Sequence, residues 1–149
     1  MKHLIFFIYS LLLLPMAGNA LAQTESLQPY DSTQAETVMN QYFAALASGD
    51  VATLKTLLGG RLKAKRAALL NNPEYAGYLA TTHANASFEI QGMHSTAPNI
   101  VSVDVVVSFK PDETIRKTYM LKRNASDNAA APPYSIVSEA AVALSLIHI

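Results

Sequence analysis

Chemistry in this sequence would depend on two histidines and on the tyrosines near them. His83 and His94 are eleven residues apart, a spacing that fits neither a helical metal pair nor the sequence signatures of zinc sites. Neither a metal nor another cofactor is therefore expected. A histidine can act as a general base, and a nearby tyrosine hydroxyl can donate a hydrogen bond to negative charge that develops in a reaction. His83 as the base, with Tyr119 or Tyr78 as the hydroxyl, is the catalytic hypothesis that the sequence offers.

The carboxylates of the predicted strands are poorer candidates for a base. Asp104 alternates with valines, and Glu89 alternates with Phe88 and Ile90. Because successive side chains of a strand point to opposite faces, both carboxylates should face away from the core. A pocket should therefore be lined by hydroxyls and apolar side chains, and the predicted pocket residues are Tyr42, Tyr75, Tyr78, Phe88, Val103, Val105 and Tyr119. The alternative is that these tyrosines are ordinary core residues with satisfied hydroxyls.

A β-hairpin from residue 99 to residue 123 is the element around which these side chains are arranged. Alternate residues of its first strand are apolar, namely Val101, Val103, Val105, Val107 and Phe109. Pro111 and Asp112 favour a turn after this strand. On the return strand Tyr119 and Leu121 share one face, although Lys117 on the same face interrupts the apolar pattern. Two strands are not stable alone, so the flanking segments must cover this hairpin.

Four helices are predicted before the sheet. The first opens at Thr33, which has capping-box spacing to a glutamate, and closes at Gly49 as a left-handed cap. Asp50 should cap a short second helix. A third helix is predicted over residues 61–70, and a fourth is expected to begin at Asn72 and Pro73.

The second half of the chain has the period of strands. A strand over residues 85–91 is expected to turn into the hairpin through Gly92 and residues 95–98, and a polar loop over 124–133 leads to a closing strand over 134–142. Four helices followed by four strands, without β-α alternation, indicate an α+β fold. The N-terminal helices should pack on one face of a curved antiparallel sheet of about four strands.

Positive charge is concentrated in the second and third helices. Half of the ten basic residues that follow residue 22 lie there, namely Lys55, Arg61, Lys63, Lys65 and Arg66. One interpretation is a docking patch for an acidic partner or an anionic lipid surface. The favoured one is a solvated helix face, because no aromatic residue separates the charges. Ten basic residues against eleven acidic ones give no field that would attract nucleic acid.

The N-terminus has the pattern of a secretory signal peptide. Lys2 precedes a short apolar run, and Ala20 and Ala22 give the small-x-small cleavage pattern. Residues 1–22 are therefore predicted to be removed, with an uncleaved anchor as the alternative, and residues 23–32 to form a polar leader. The chain has no cysteine, so neither disulfides nor lipid attachment at a cysteine is expected, and the protein is predicted to be periplasmic or secreted in a bacterium, with the periplasm favoured.

The last six residues are treated separately. Residues 144–149 resemble the translation of a transposon-end adapter used in sequencing libraries, and His148 is for that reason left out of the site. The alternative is a genuine apolar edge strand. The domain itself is assigned to residues 33–143.

This order of elements resembles the nuclear transport factor 2-like superfamily. The resemblance covers residues 33 to about 142 and depends on the helix junction Ala47-Ser48-Gly49-Asp50, on a helix through Tyr75 and Tyr78 that leads into strand 86–90, and on the long hairpin with its closing strand. It implies a cone-shaped fold in which a curved sheet wraps one long helix and leaves a pocket. The superfamily includes SnoaL-like and ketosteroid-isomerase-like branches, with enzymes and inactive domains alike, so function must come from the site.

Three functions are compatible with these patterns. The first is an exported, non-catalytic module that binds a small apolar ligand or a protein partner in the periplasm. The alternative is an isomerase or hydro-lyase that acts on a small cyclic carbonyl compound through the histidine and tyrosines named above. The third is pairing into a homodimer through the outer face of the sheet, which carries Ile100, Val106, Thr118 and Met120 among its polar residues.

Overall fold

The structure is a computed structural model that describes residues 30–142. Within this range four helices precede four strands: α1 (Ser32–Ser48), α2 (Val51–Leu57), α3 (Gly60–Leu70), α4 (Tyr75–His83), β1 (Ser87–Ala97), β2 (Ile100–Lys110), β3 (Glu113–Arg123) and β4 (Tyr134–Ala141). The strands form one antiparallel sheet in the order β1-β2-β3-β4. The predicted α+β architecture, with helices on a curved sheet, is confirmed.

Several predictions concern segments outside the described residues. The signal peptide over 1–22, most of the leader over 23–32 and the segment 144–149 all lie there. Among residues 30–142, no helix is both long enough and apolar enough to cross a membrane.

Helix α1 supplies the largest helical share of the core. Seven of its side chains are buried at three- and four-residue spacing, namely Ala35, Val38, Met39, Tyr42, Phe43, Ala45 and Leu46. The helix begins one residue earlier than predicted because Asp31, not Thr33, caps it by accepting a hydrogen bond from the Gln34 amide at 3.0 Å. Gly49 ends it at φ 69°, as predicted, and a Cβ there would lie 2.2 Å from the Ala76 carbonyl oxygen. Glycine therefore lets α4 pack closely on the end of α1.

The predicted hairpin forms the centre of the sheet. Val103 pairs with Tyr119 and Val101 pairs with Leu121, and all four side chains are buried on the face that meets the helices. On the opposite face the Thr118 hydroxyl donates to the Asp104 carboxylate at 2.6 Å. The outward orientation predicted for Asp104 is therefore confirmed, and pairing of two chains through this outer face stays a prediction.

Strand β1 is longer than predicted. The chain does not turn at Gly92, because a register shift between Ile90 and Gly92 is absorbed as a bulge and the strand continues to Ala97. The turn lies at Pro98 and Asn99, so that Pro98 alone of the predicted turn residues belongs to it, and Asn99 has a positive φ of 62°. Asparagine tolerates this conformation better than most residues, which explains a turn at this point.

A bulge in β4 decides which of its side chains reach the helices. Ile136 pairs with Leu121 while Ser138 pairs with Met120, so Val137 is an extra residue in the ladder. Strict alternation from Ile136 would place Ser138 on the inner face. The bulge instead brings Glu139 opposite Tyr119, and cross-strand partners share a face of the sheet.

Candidate functional site

A cavity of about 610 Å³ opens between α1, α3, α4 and the neighbouring part of the sheet. Its size falls within the range of small-molecule sites, roughly 300–1,000 Å³. Its wall is formed by Tyr42, Leu46, Arg66, Leu69, Asn72, Glu74, Tyr75, Tyr78, Leu79, Thr82, His83, Phe109, Lys117 and Glu139. Aromatic, aliphatic and charged side chains therefore converge on one space, which we call the cavity below.

Three charged side chains from α3, β3 and β4 meet on the sheet side of the cavity. The Glu139 carboxylate pairs with the Arg66 guanidinium through Oε2 and accepts from Lys117 Nζ through Oε1 at 2.5 Å. The exposed fractions of the Arg66, Lys117 and Glu139 side chains are 21%, 25% and 10%. Because taking charges out of water is costly, such a cluster contributes little net stability. Partly buried charges in a cleft are more characteristic of a functional site.

Tyr42 joins this ion cluster to helix α1. Its hydroxyl oxygen accepts a hydrogen bond from Arg66 Nη1 at 3.0 Å. Burial, and then the negative charge of Glu139, raise the pKa of Tyr42 from 10.0 to about 12. Tyr119 lies beneath it with ring centroids 5.6 Å apart, and burial raises the pKa of its hydroxyl well above the usual range. Both phenols are therefore weaker proton donors than an ordinary tyrosine.

Arg66 keeps its charge in this environment. Burial alone would lower the pKa of the guanidinium, but the neighbouring Tyr42 oxygen and the Glu139 carboxylate outweigh burial and raise it. A permanent positive charge therefore lies at the sheet side of the cavity.

Apolar side chains form the outer part of the cavity. The rings of Tyr75 and Tyr78 stack on α4 with centroids 6.1 Å apart. Within residues 30–142, the large apolar side chains that remain exposed are Leu69 at 47%, Tyr78 at 62% and Val142 at 46%. Leu69 and Tyr78 both belong to the cavity wall. Exposed apolar side chains that cluster at a cleft are typical of a surface that a ligand or a partner covers on binding.

His83 is held in one orientation at the end of α4. Its Nδ1 lies 3.0 Å from the Leu79 carbonyl oxygen. A carbonyl can only accept, so Nδ1 carries the proton, and Nε2 of the neutral ring keeps a free lone pair. His94 lies elsewhere, as an exposed residue of β1 paired with Ser102.

The structure brings together only some of the predicted site residues. Four of them line the cavity, namely Tyr42, Tyr75, Tyr78 and His83. Tyr119 is buried beneath the wall, packed against Tyr42. Phe88, Val103 and Val105 do not reach the cavity. The two valines are buried in the core, and Phe88 stacks on Phe43 with centroids 4.2 Å apart.

The three charged residues of the cavity were missed as site residues by the sequence interpretation. Arg66 was assigned to a solvated helix face, which is wrong for this residue although Lys63 and Lys65 beside it are exposed. A signal was present, because Arg66 lies four residues from each of two buried leucines and so within the apolar stripe of α3. Lys117 interrupted the inner face of β3 in the same way. Glu139 gave no such signal, since only the bulge turns it inward.

Another depression lies between α1, α2 and the loop over 124–133. Its volume is about 730 Å³, and its wall consists largely of alanine, serine, threonine and proline side chains. Such a surface offers few groups that could fix the orientation of a ligand. Among residues 30–142, no group of three or more His, Asp or Glu side chains is placed to hold a metal ion.

Comparisons with known proteins add little to this geometry. No protein-family model matches the chain, and no curated protein matches it significantly. Among solved structures the chain is similar to the intermembrane space region of the chloroplast protein ARC6, with 13% identity over 76% of this chain and 98% of that chain and a TM-score of 0.40. A likeness this weak carries no argument about family or function. Membership of the nuclear transport factor 2-like superfamily stays a prediction.

Proposed function

We propose that this protein is a non-catalytic module of the nuclear transport factor 2-like type, exported to a bacterial periplasm, whose cavity binds a small and largely apolar molecule. The observation that carries the proposal is the exposure of Leu69 and Tyr78 at the wall of a cavity of about 610 Å³. A molecule seated there would cover both side chains, and burial of apolar surface contributes roughly 25 cal/mol per Å².

The polar groups of the cavity support binding rather than proton transfer. The Glu139 carboxylate is engaged by two cations, so each of its oxygens already has a partner within the protein. The raised pKa of Tyr42 likewise makes its hydroxyl a weaker donor toward an oxyanion. General acid–base catalysis works best with groups whose pKa lies near the working pH.

The proposal is tested by blocking the mouth of the cavity. Thr82 is an exposed residue of α4 that lines the cavity, and its neighbour Thr81 is exposed outside it. The neutral fluorescent probe N-phenyl-1-naphthylamine should bind the wild-type protein saturably at one site. The variant Thr82→Trp should weaken this binding by about tenfold or more, because each 1.4 kcal/mol of lost contact is a factor of ten. The matched control Thr81→Trp should bind as the wild type does.

Two results would contradict the proposal. One is a wild-type protein that shows no saturable binding of the probe. The other is equal binding by Thr82→Trp and Thr81→Trp, which would locate the probe outside the cavity. Native mass spectrometry of protein taken from a periplasmic extract is an independent check, since a retained small molecule should be released by denaturation.

Export is tested on the full chain. Protein recovered from the periplasmic fraction of a bacterial host should begin at Gln23, because cleavage is expected after Ala22. Recovery of uncleaved protein from the membrane fraction would instead support an N-terminal anchor.

One observation favours the alternative of an isomerase or hydro-lyase. His83 lines the cavity, and the bond from its Nδ1 to the Leu79 carbonyl leaves Nε2 free to accept a proton. Tyr78 lines the same cavity and could hold a substrate oxygen. If a small cyclic carbonyl compound is turned over, His83→Gln should abolish the activity while the far-ultraviolet circular dichroism stays unchanged. Unchanged turnover in His83→Gln would remove this alternative.

A further inference from the structure

We infer that the ligand of the cavity is an amphipathic monoanion, with an apolar or aromatic body and a carboxylate or similar anionic group that contacts Arg66 and Lys117. This assignment rests on the proposed binding function and specifies the chemistry of the ligand. It follows from the wall of the cavity, which contains both a cluster with an excess of positive charge and exposed apolar side chains.

The charges on the sheet side of the cavity do not balance. Arg66 and Lys117 share one resident carboxylate, that of Glu139, so the cluster carries one positive charge in excess. Glu74 also lines the cavity, but it is exposed at the start of α4, where water screens its charge. A ligand with a single negative charge would neutralise the excess in a partly dehydrated site.

The cations have hydrogen-bond donors left for a ligand. The guanidinium of Arg66 has five N–H groups, and the bonds found here join it to Glu139 and Tyr42. Lys117 has three N–H groups and donates one to Glu139. Both side chains keep about a fifth to a quarter of their surface exposed. A hydrogen bond from such a charged donor to an anionic oxygen is roughly twice as strong as a hydrogen bond between two neutral groups.

The apolar body of the ligand would lie against the side chains of α3 and α4 that share the cavity wall with the ion cluster. Leu69 and the stacked rings of Tyr75 and Tyr78 present an apolar surface there. An anion without an apolar body would leave this surface uncovered, and a neutral apolar molecule would leave the excess charge uncompensated. The cavity wall therefore selects for a molecule that combines both features.

The experiment compares two probes that share one ring system. 1-Anilinonaphthalene-8-sulfonate carries one negative charge, and N-phenyl-1-naphthylamine is its neutral counterpart. The quantity measured is the ratio of their affinities for the same protein, because a variant that merely loosens packing affects both probes alike. In the wild type the anionic probe should bind about tenfold tighter than the neutral one, as expected for one charge-assisted contact.

A charge series in the cavity should change this ratio in a fixed order. Glu139→Gln increases the positive charge of the cluster and should raise the ratio several-fold. Arg66→Gln and Lys117→Gln each remove one positive charge and should lower it to about one. Lys65→Gln, on the exposed face of α3, is the matched control and should leave the ratio unchanged.

The two proposals fail in different ways. If neither probe binds, or if both bind equally well to Thr82→Trp, the cavity is not a ligand site and both proposals are overturned. If the neutral probe binds in the cavity but the ratio stays near one throughout the charge series, the assignment of an anionic ligand is overturned and the binding function remains. A ratio that follows the order Glu139→Gln, wild type, Lys117→Gln supports the anionic ligand.

Discussion

Two tyrosine–arginine pairs lie in different parts of this domain, and they differ in how much open space lies beside them. Tyr134 accepts a hydrogen bond from Arg123 Nη2 at 3.2 Å, and the guanidinium lies 5.6 Å from the centre of its ring. The space beside this pair is only about 10 Å³. Tyr42 accepts from Arg66 Nη1 at 3.0 Å, yet the space beside it is about 610 Å³. The first pair closes the core, and the second borders a cavity.

The origin of each arginine explains the contrast. Arg123 and Tyr134 are direct partners in neighbouring strands, so the register of the sheet lays one side chain over the other. Arg66 comes from helix α3 and reaches both Tyr42 on α1 and Glu139 on β4. A helix that spans the space to a sheet through a long polar side chain leaves room around that side chain. Pairing between neighbouring strands therefore leaves almost no space beside Arg123, whereas the contacts of Arg66 with two distant elements border a cavity.

The largest effect is expected from removing the ring that closes the core. Tyr134→Ala should lower the free energy of unfolding by about 3–4 kcal/mol, since a fully buried aromatic side chain is lost. Tyr78→Ala, at the cavity, removes a side chain that is 62% exposed and should cost less than about 1 kcal/mol. Urea denaturation followed by circular dichroism measures both. Equal losses of stability in the two variants would contradict the distinction between Tyr134, which closes the core, and Tyr78, which lies exposed at the cavity wall.

Alkaline pH should weaken the fold through Tyr42. The pKa of this hydroxyl is 10.0 in the unfolded chain and about 12 in the folded protein. The unfolded state therefore loses its proton first, so the stabilisation is complete below pH 10 and is lost as the pH rises toward 12. The expected loss over this interval is roughly 2–3 kcal/mol.

Variants separate this tyrosine from the other groups that titrate at high pH. Between pH 10 and 12 the stability of Tyr42→Phe should decrease less than that of the wild type. Tyr119→Phe should also reduce this decrease, because burial raises the pKa of the Tyr119 hydroxyl as well. Thermal melts at closely spaced pH values measure the slope. An identical slope in wild type and Tyr42→Phe would show that the hydroxyl is not protected in the folded state.

The contribution of the ion cluster to stability should depend on salt concentration, whereas the contribution of the Arg123–Tyr134 pair should not. Glu139→Gln leaves Arg66 and Lys117 close together without their shared carboxylate. We expect a loss of about 1–2 kcal/mol at low ionic strength, recovered in part at about 1 M salt, where like charges are screened. Arg123→Gln should cost about 1 kcal/mol with little dependence on salt, because a ring contact and one hydrogen bond are lost. Denaturation at two salt concentrations distinguishes the two responses.

The smallest effect is expected from the exposed lysines of α3. Lys63→Gln and Lys65→Gln should each change the free energy of unfolding by less than about 0.5 kcal/mol. Neither should alter the affinity of the anionic probe, although Arg66→Gln, on the same helix, should. A lysine variant that weakened the probe as strongly as Arg66→Gln would indicate a diffuse basic surface instead of a built site.

Local patterns in the sequence were sufficient for most of the fold. The hairpin follows from strict alternation and a Pro-Asp turn, and the end of α1 follows from a glycine in the left-handed conformation. The N-cap of α1 was missed by two residues because Asp31 and Thr33 are both good capping residues. The turn assigned to Gly92 was wrong because a glycine marks a bulge as readily as a turn.

The candidate site was less accessible to such reasoning. Tyr42, Tyr75, Tyr78 and His83 could be proposed because their helical spacing places them on faces that meet other elements. Which of the inward residues border open space, and which are sealed in the core, depends on how far each helix stands from the sheet. Val103 and Val105 lie on the inner face of the sheet, part of which borders the cavity, yet both side chains are buried in the core.

By itself, the sequence determined the order and kind of the helices and strands, which strand faces are apolar, and that an arginine and a lysine interrupt two apolar faces. These properties depend on residues a few places apart, so spacing encodes them. The tertiary structure decided that Arg66, Lys117 and Glu139 meet. Arg66 and Glu139 are 73 residues apart, and Glu139 faces the cavity only because the extra residue Val137 reverses the alternation of β4. A bulge depends on how one strand fits its neighbour, and no period within β4 alone specifies it.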